Sequence, residues 1–138
     1  MGNYDLDRFL TAQSDVYEIA LKEIKSGRKE SHWMWFIFPQ LKNLGHSYMA
    51  KYYGIENLSE AKEYIEHPVL GSRLREISSA LLSLNESNPL LVMGRPDHLK
   101  LCSCMTLFSK ATDDNQVFLD VINKYFNGMM DRRTLFMI

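Results

Sequence analysis

Cysteine is scarce in this chain: Cys102 and Cys104 are the only two among 138 residues, and they lie two positions apart. A pair that close cannot tie distant segments together, so a disulfide-built fold is excluded. Long apolar runs are missing as well. None approaches the ~18 residues of a membrane span, and no secretory signal opens the sequence. The expectation is a cytoplasmic protein with no membrane partner. Charge of one sign is not in excess either, since 16 Lys and Arg face 17 Asp and Glu, for a formal net charge of −1. Proteins that grip nucleic-acid phosphates carry a clear positive surplus, so nucleic acid is disfavoured as a partner. The seven glycines and four prolines are scattered singly. They make neither a Gly-rich phosphate loop nor a linker, and the expected organisation is one domain over residues 1–138.

What the chain does have is apolar patterning. Hydrophobic residues make up 46%, enough to offset the entropy of ordering the backbone. Leu6, Phe9, Leu10, Val16, Tyr17, Ala20, Leu21 and Ile24 recur at three- and four-residue steps. That spacing predicts one helix from about Asp5 to Ser26, stopped by Gly27. Leu70, Leu74, Ile77, Leu81 and Leu84 form a second stripe, opened by His67-Pro68. Leu101, Met105 and Phe108 form a third, and Phe118, Val121, Ile122 and Tyr125 a fourth, closed by Gly128. Ser47, Asn57 (with Glu60) and Asp131 are placed as N-caps of shorter helices. His32 to Pro39 is apolar on every side and reads as about two turns of buried helix capped by Ser31, with a strand as the alternative. The fold class expected is all-α, a bundle of six to eight helices around this aromatic-rich segment.

Candidate chemistry is sparse. His32, His46, His67 and His98 have no HxxxH or HExxH spacing, and a two-residue step on a helix turns Cys102 and Cys104 about 200° apart. No metal site is expected, because a structural zinc needs four converging ligands, and no cofactor is expected. Lys100, Ser103 and Thr106 are three apart and share one helix face. They line a pocket wall, or else the hydroxyls bond back to the preceding turn and the lysine is solvated. Gly27 to Trp35 is the most unusual stretch. If Ser31 starts a helix, His32 and Trp35 share a face beside Arg28 and Lys29, an arrangement suited to stacking a flat ring and holding its anionic group. The plainer alternative is a core histidine beside space-filling tryptophans.

The string His32-Trp33-Met34-Trp35-Phe36-Ile37-Phe38-Pro39-Gln40 resembles the hallmark of a family of small bacterial proteins, domain-of-unknown-function family 1810, whose members are sometimes labelled calpastatin. Further matching stretches are Asp5 to Phe9 with Ala12-Gln13, His67 to Gly71 with Arg73-Leu74, and Pro96-Asp97 with Lys100-Leu101. Met105 to Phe108 and Asp131 with Thr134-Leu135 complete the series. The resemblance implies an all-helical domain with no established activity, and it departs at Cys104, where serine is the expected family residue. The calpastatin label does not suit this composition, because a calpain inhibitor of that kind is an extended chain that folds on its target, whereas this one is apolar and patterned throughout.

Two functional expectations from different classes follow. One is a pocket for a small anionic or nucleotide-like ligand. Lys29, Trp35, Gln40, Lys100, Ser103, Thr106 and Arg132 line it, and His32 is the candidate proton donor or acceptor; whether any reaction occurs is left open. The other is a non-catalytic protein-interaction module, monomer or homodimer, using Tyr48, Tyr52, Tyr53 and Met129-Met130.

Overall fold

In a computed structural model, which describes residues 4–138, the chain is all-α. Its helices are α1 (Asp7–Gln13), α2 (Tyr17–Lys25), α3 (Met34–Ile37), α4 (Tyr48–Tyr52) and α5 (Leu58–Glu66). They continue with α6 (Leu70–Leu82), α7 (Pro89–Met93), α8 (Asp97–Ala111), α9 (Gln116–Phe126) and α10 (Arg132–Met137). A 3-10 turn spans Lys42–Leu44. The described helices therefore number ten against the six to eight expected, because the first stripe is divided between α1 and α2 and the short α7 carries no stripe of its own.

The long N-terminal stripe is two helices. Between Leu10 and Val16 no large apolar residue falls on the stripe, and the chain turns at Ser14 to Val16. Gln13 faces the core there and is 1% exposed. Its side-chain amide donates to the Phe36 carbonyl at 2.7 Å and to the Tyr64 hydroxyl at 3.1 Å, which anchors the end of α1 to two distant segments. The C-terminal stops fall where positive-φ residues sit, at Gly27 after α2 and at Asn127 and Gly128 after α9. Ser47, Asn57 and Asp131 cap α4, α5 and α10, each accepting a backbone N–H three residues on. The expected Asn57–Glu60 box is half realised: the Glu60 carboxylate accepts from the Glu56 amide, not from Asn57.

α8 is the central helix, where a central His32–Phe38 segment had been expected. Every residue from Ser103 to Ser109 is buried, as befits a helix covered on all sides. It packs against α5, α7, α9 and α10, while α6 lies against α2, α5 and α9. Gly71 lets α6 cross α5 closely; a Cβ there would lie 2.1 Å from the Ile65 carbonyl oxygen. The aromatic segment contributes Trp33, Met34, Phe36, Ile37 and Phe38 to the core, yet α3 is a single turn.

Candidate functional site

Gly54, Ile55 and the Gln40–Lys42 strand of backbone form one side of the site. Ile55 donates to the Gln40 carbonyl and Lys42 to the Ile55 carbonyl, both at 2.9 Å. This short parallel bridge fixes the loop from Gln40 to Ser47. Gly54 is required for it, since a Cβ there would sit 2.3 Å from Lys42 Cα. Opposite stands α8, and the turn from α9 into α10 closes the end.

Between these elements runs an open groove of about 670 Å³, within the usual size range of small-molecule sites. Gln40, His46, Lys100, Ser103, Arg132 and Arg133 supply polar groups to its lining, and Leu44, Leu99, Phe126 and Met130 supply apolar ones. Gln40, Lys100, Ser103 and Arg132, separated by up to 92 positions in sequence, all border this groove. Arg132 and Arg133 are exposed and have no carboxylate within ion-pair distance among the described residues. Lys100 reaches only a long contact, 3.9 Å, with Asp97.

Asp131 is held where the groove ends. Its Oδ2 accepts from Ser103 Oγ at 3.1 Å, from the Thr134 amide at 3.0 Å and from the Thr134 hydroxyl. Its own amide donates to Thr106 Oγ1 at 2.9 Å. Thr106 is therefore not an open pocket wall. It is fully buried, donates to the Cys102 carbonyl at 2.8 Å, and positions Asp131 through the remaining lone pair. The i, i+3 spacing on α8 had placed Ser103 and Thr106 on the right face; what meets that face is a second element of the protein.

Three other expected site residues are placed differently. His32 is exposed, precedes α3 and is not part of the groove lining. Because α3 starts at Met34, the one-face relation between His32 and Trp35 does not form. Lys29 is nearly buried: its ammonium pairs with Asp97 at 2.9 Å, donates to the Ser31 carbonyl at 2.6 Å and lies 4.8 Å from the Trp33 ring centre. Trp35 borders a recess of about 10 Å³ shared with Gln40 and Lys100, room for one water at most. Lys100 itself lies 5.9 Å from that indole.

His46, Arg133 and Asp131 were missed as groove residues. Sequence held only one signal for them, the capping role of Asp131, which fixes a side chain beside whatever α10 packs on. Cys102 also borders the groove, but burial and then the Asp131 charge push its thiol up to about 11, against a lowering hydrogen bond with Thr106. Cys104 is buried, which raises its pKa as well. Neither is a thiolate at neutral pH. Among the described residues no three His, Cys, Asp or Glu side chains converge as metal ligands, and no helix is long and apolar enough to cross a membrane.

Two other depressions lie elsewhere. One, between α2 and the loop after it, carries Glu23 and Glu30 against Lys22 and Arg28, so its charges are balanced. The other lies beside α7 along Arg28, Lys29 and Val92.

Comparison with known proteins gives two findings. The family described as "Protein of unknown function (DUF1810)" matches residues 3–138. The crystal structure of a conserved hypothetical protein from Mycobacterium tuberculosis is similar over 99% of this chain and 98% of that one, with 46% identity and a TM-score of 0.97. No curated protein matches.

Proposed function

The chain belongs to the DUF1810 family, and from its geometry we propose that it binds a small anionic ligand in the groove between the Gln40–Ser47 loop, α8 and α10. One observation carries the reading. Lys100, Arg132 and Arg133 border one cavity of about 670 Å³, and the two arginines have no acidic partner among the described residues. Lys29, by contrast, is nearly buried and paired with Asp97 at 2.9 Å, so it is not open to a ligand. Arginines held beside a concave, partly apolar surface suit a phosphate or carboxylate ligand. His46 and Gln40 add further donors. The binding reading stands without a reaction, since His32 lies outside the groove.

A thermal-shift screen of nucleotides, sugar phosphates and organic acids tests it. A ligand at a hundred times its Kd adds ~2.7 kcal/mol, roughly 6 to 12 °C for a domain of this size. Shifts that vanish in Lys100→Ala and in Arg132→Ala/Arg133→Ala support the groove. A flat response across the panel, or shifts unaffected by these variants, counts against it.

A second reading has its own observation. Phe136 is 92% exposed, Tyr48 76% and Met129 70%, and such apolar side chains suit a protein-interaction surface when they form a patch. Tyr53 and Met130 pack against the core and do not belong to it. Concentration-dependent sedimentation that is abolished by Phe136→Ser would favour this reading.

A further inference from the structure

The groove is basic, yet it holds one carboxylate, and that carboxylate is rigidly held. All the hydrogen bonds Asp131 accepts from described residues reach Oδ2, from Ser103 and Thr134, while the backbone amide is fixed by Thr106. Oδ1 accepts from no described residue, and none of the groove cations forms an ion pair with Asp131. The three donors on Oδ2 and the anchored amide leave this side chain little rotational freedom. A carboxylate placed among cations weakens the binding of any plain anion. Its cost is offset when the ligand itself brings a hydrogen-bond donor to the open oxygen.

Resting on the reading that the groove binds an anion, we infer that its ligand is a hydroxylated phosphate ester, a polyol or sugar phosphate. The phosphate is taken by the cations that border the groove, Lys100, Arg132 and Arg133, whose ammonium and guanidinium donors match a dianion. Asp131 Oδ1 accepts from a ligand hydroxyl. Asp131 is only partly buried, so a ligand that covers Oδ1 without offering it a hydroxyl displaces water and leaves the acceptor unmatched, which is a source of discrimination. The apolar lining from Leu44, Leu99, Phe126 and Met130 then faces the carbon skeleton.

Glycerol 3-phosphate and propyl phosphate make a matched pair, with equal charge and equal carbon number, and differ in the hydroxyls. Calorimetric titration of the full chain at low ionic strength is expected to show glycerol 3-phosphate binding at least tenfold more tightly. Asp131→Asn keeps an oxygen to cap α10 and removes the charge. In that variant the preference should fall to about onefold, while propyl phosphate binds at least as well as before. Equal affinity of the wild type for the two esters overturns the inference and leaves the anion groove standing. A preference that survives in Asp131→Asn overturns the role of Asp131. Binding of neither ester sinks the groove reading itself. If Asp131→Asn does not fold, the wild-type pair alone decides.

Discussion

The indole N–H of Trp33 donates to Glu23 Oε1 at 2.9 Å, joining α2 to the segment that leads into α3. The same carboxylate accepts from the amides of Glu30 and Ser31, at 2.8 and 3.0 Å, and from the Ser31 hydroxyl. Four donors on one side chain explain why the Gly27–Trp35 stretch carries so many polar residues before its aromatic ones. These polar groups build a loop. Trp33 is fully buried as a result, with its one polar atom satisfied.

This arrangement predicts an acid-dependent stability. Desolvation raises the Glu23 pKa, but the hydrogen bonds from Ser31, Glu30 and Trp33 outweigh it and bring the group from 4.5 to about 2. Because the folded pKa is the lower one, the contribution is complete above about pH 4.5 and is lost as pH falls toward 2. Glu23→Gln should cost roughly 1–3 kcal/mol at pH 7, and the difference from wild type should shrink between pH 4.5 and 2. Urea denaturation over that range checks it; a gap that stays constant would refute the assignment.

Arg8 and Glu60 form a buried pair at 2.9 Å, with side chains 10% and 2% exposed. Arg8 also donates to the carbonyls of Asp5, Tyr52 and Gly54, so it ties α1 to the end of α4. Arg8→Met or Glu60→Leu should each destabilise by about 3–5 kcal/mol, whereas the combined Arg8→Met/Glu60→Leu variant should recover part of the loss. A double-mutant cycle in denaturant measures the coupling, and simple additivity would show that the two groups act separately.

Thr106→Val keeps the shape of a fully buried side chain and removes both of its hydrogen bonds. The expected cost is ~1–3 kcal/mol. Amide exchange at Asp131 should accelerate, because its partner oxygen is gone. Unchanged protection there would mean that α10 is docked by other contacts.

Cys102 should alkylate slowly at pH 7 and faster as pH approaches its raised value of about 11. Burial is the first cause and the Asp131 charge the second, so Asp131→Asn should quicken the reaction at any fixed pH below that value. Iodoacetamide labelling read by mass spectrometry provides the rates. No change in Asp131→Asn would separate the thiol from that carboxylate. Cys104 should label only on unfolding.

His32→Ala should leave ligand-induced thermal shifts as they are, because His32 does not border the groove. Lys100→Ala should reduce them by at least half. The reverse pattern would restore the site to the Gly27–Trp35 segment.

Helical class, the caps at Ser47, Asn57 and Asp131, and the stops at Gly27 and Gly128 were legible in the sequence. Each depends on interactions spanning four residues or fewer, which the order of side chains encodes directly. Asn88 and Pro89 also carried a local signal for α7, a cap followed by proline at the first helical position. It was obscured by the polar run around it.

Tertiary structure alone decided the rest. The side chain of Gln13 ends α1 by reaching Phe36 and Tyr64, 23 and 51 residues away. Lys29 and Lys100 look alike in sequence, and the fold buries one at 2.9 Å from Asp97 and against the Trp33 ring, while the other, 3.9 Å from the same carboxylate, stays beside the groove. Thr106 sits one turn of α8 from Ser103, yet the arrival of Asp131 seals it. A helical stripe determines which residues share a face, but what covers that face is set by packing between segments distant in the chain. The sequence therefore determined the helical class, the local caps and which residues share a face. Which polar groups became buried supports and which stayed open on the groove was decided only when α8, α10 and the Gln40–Ser47 loop came together.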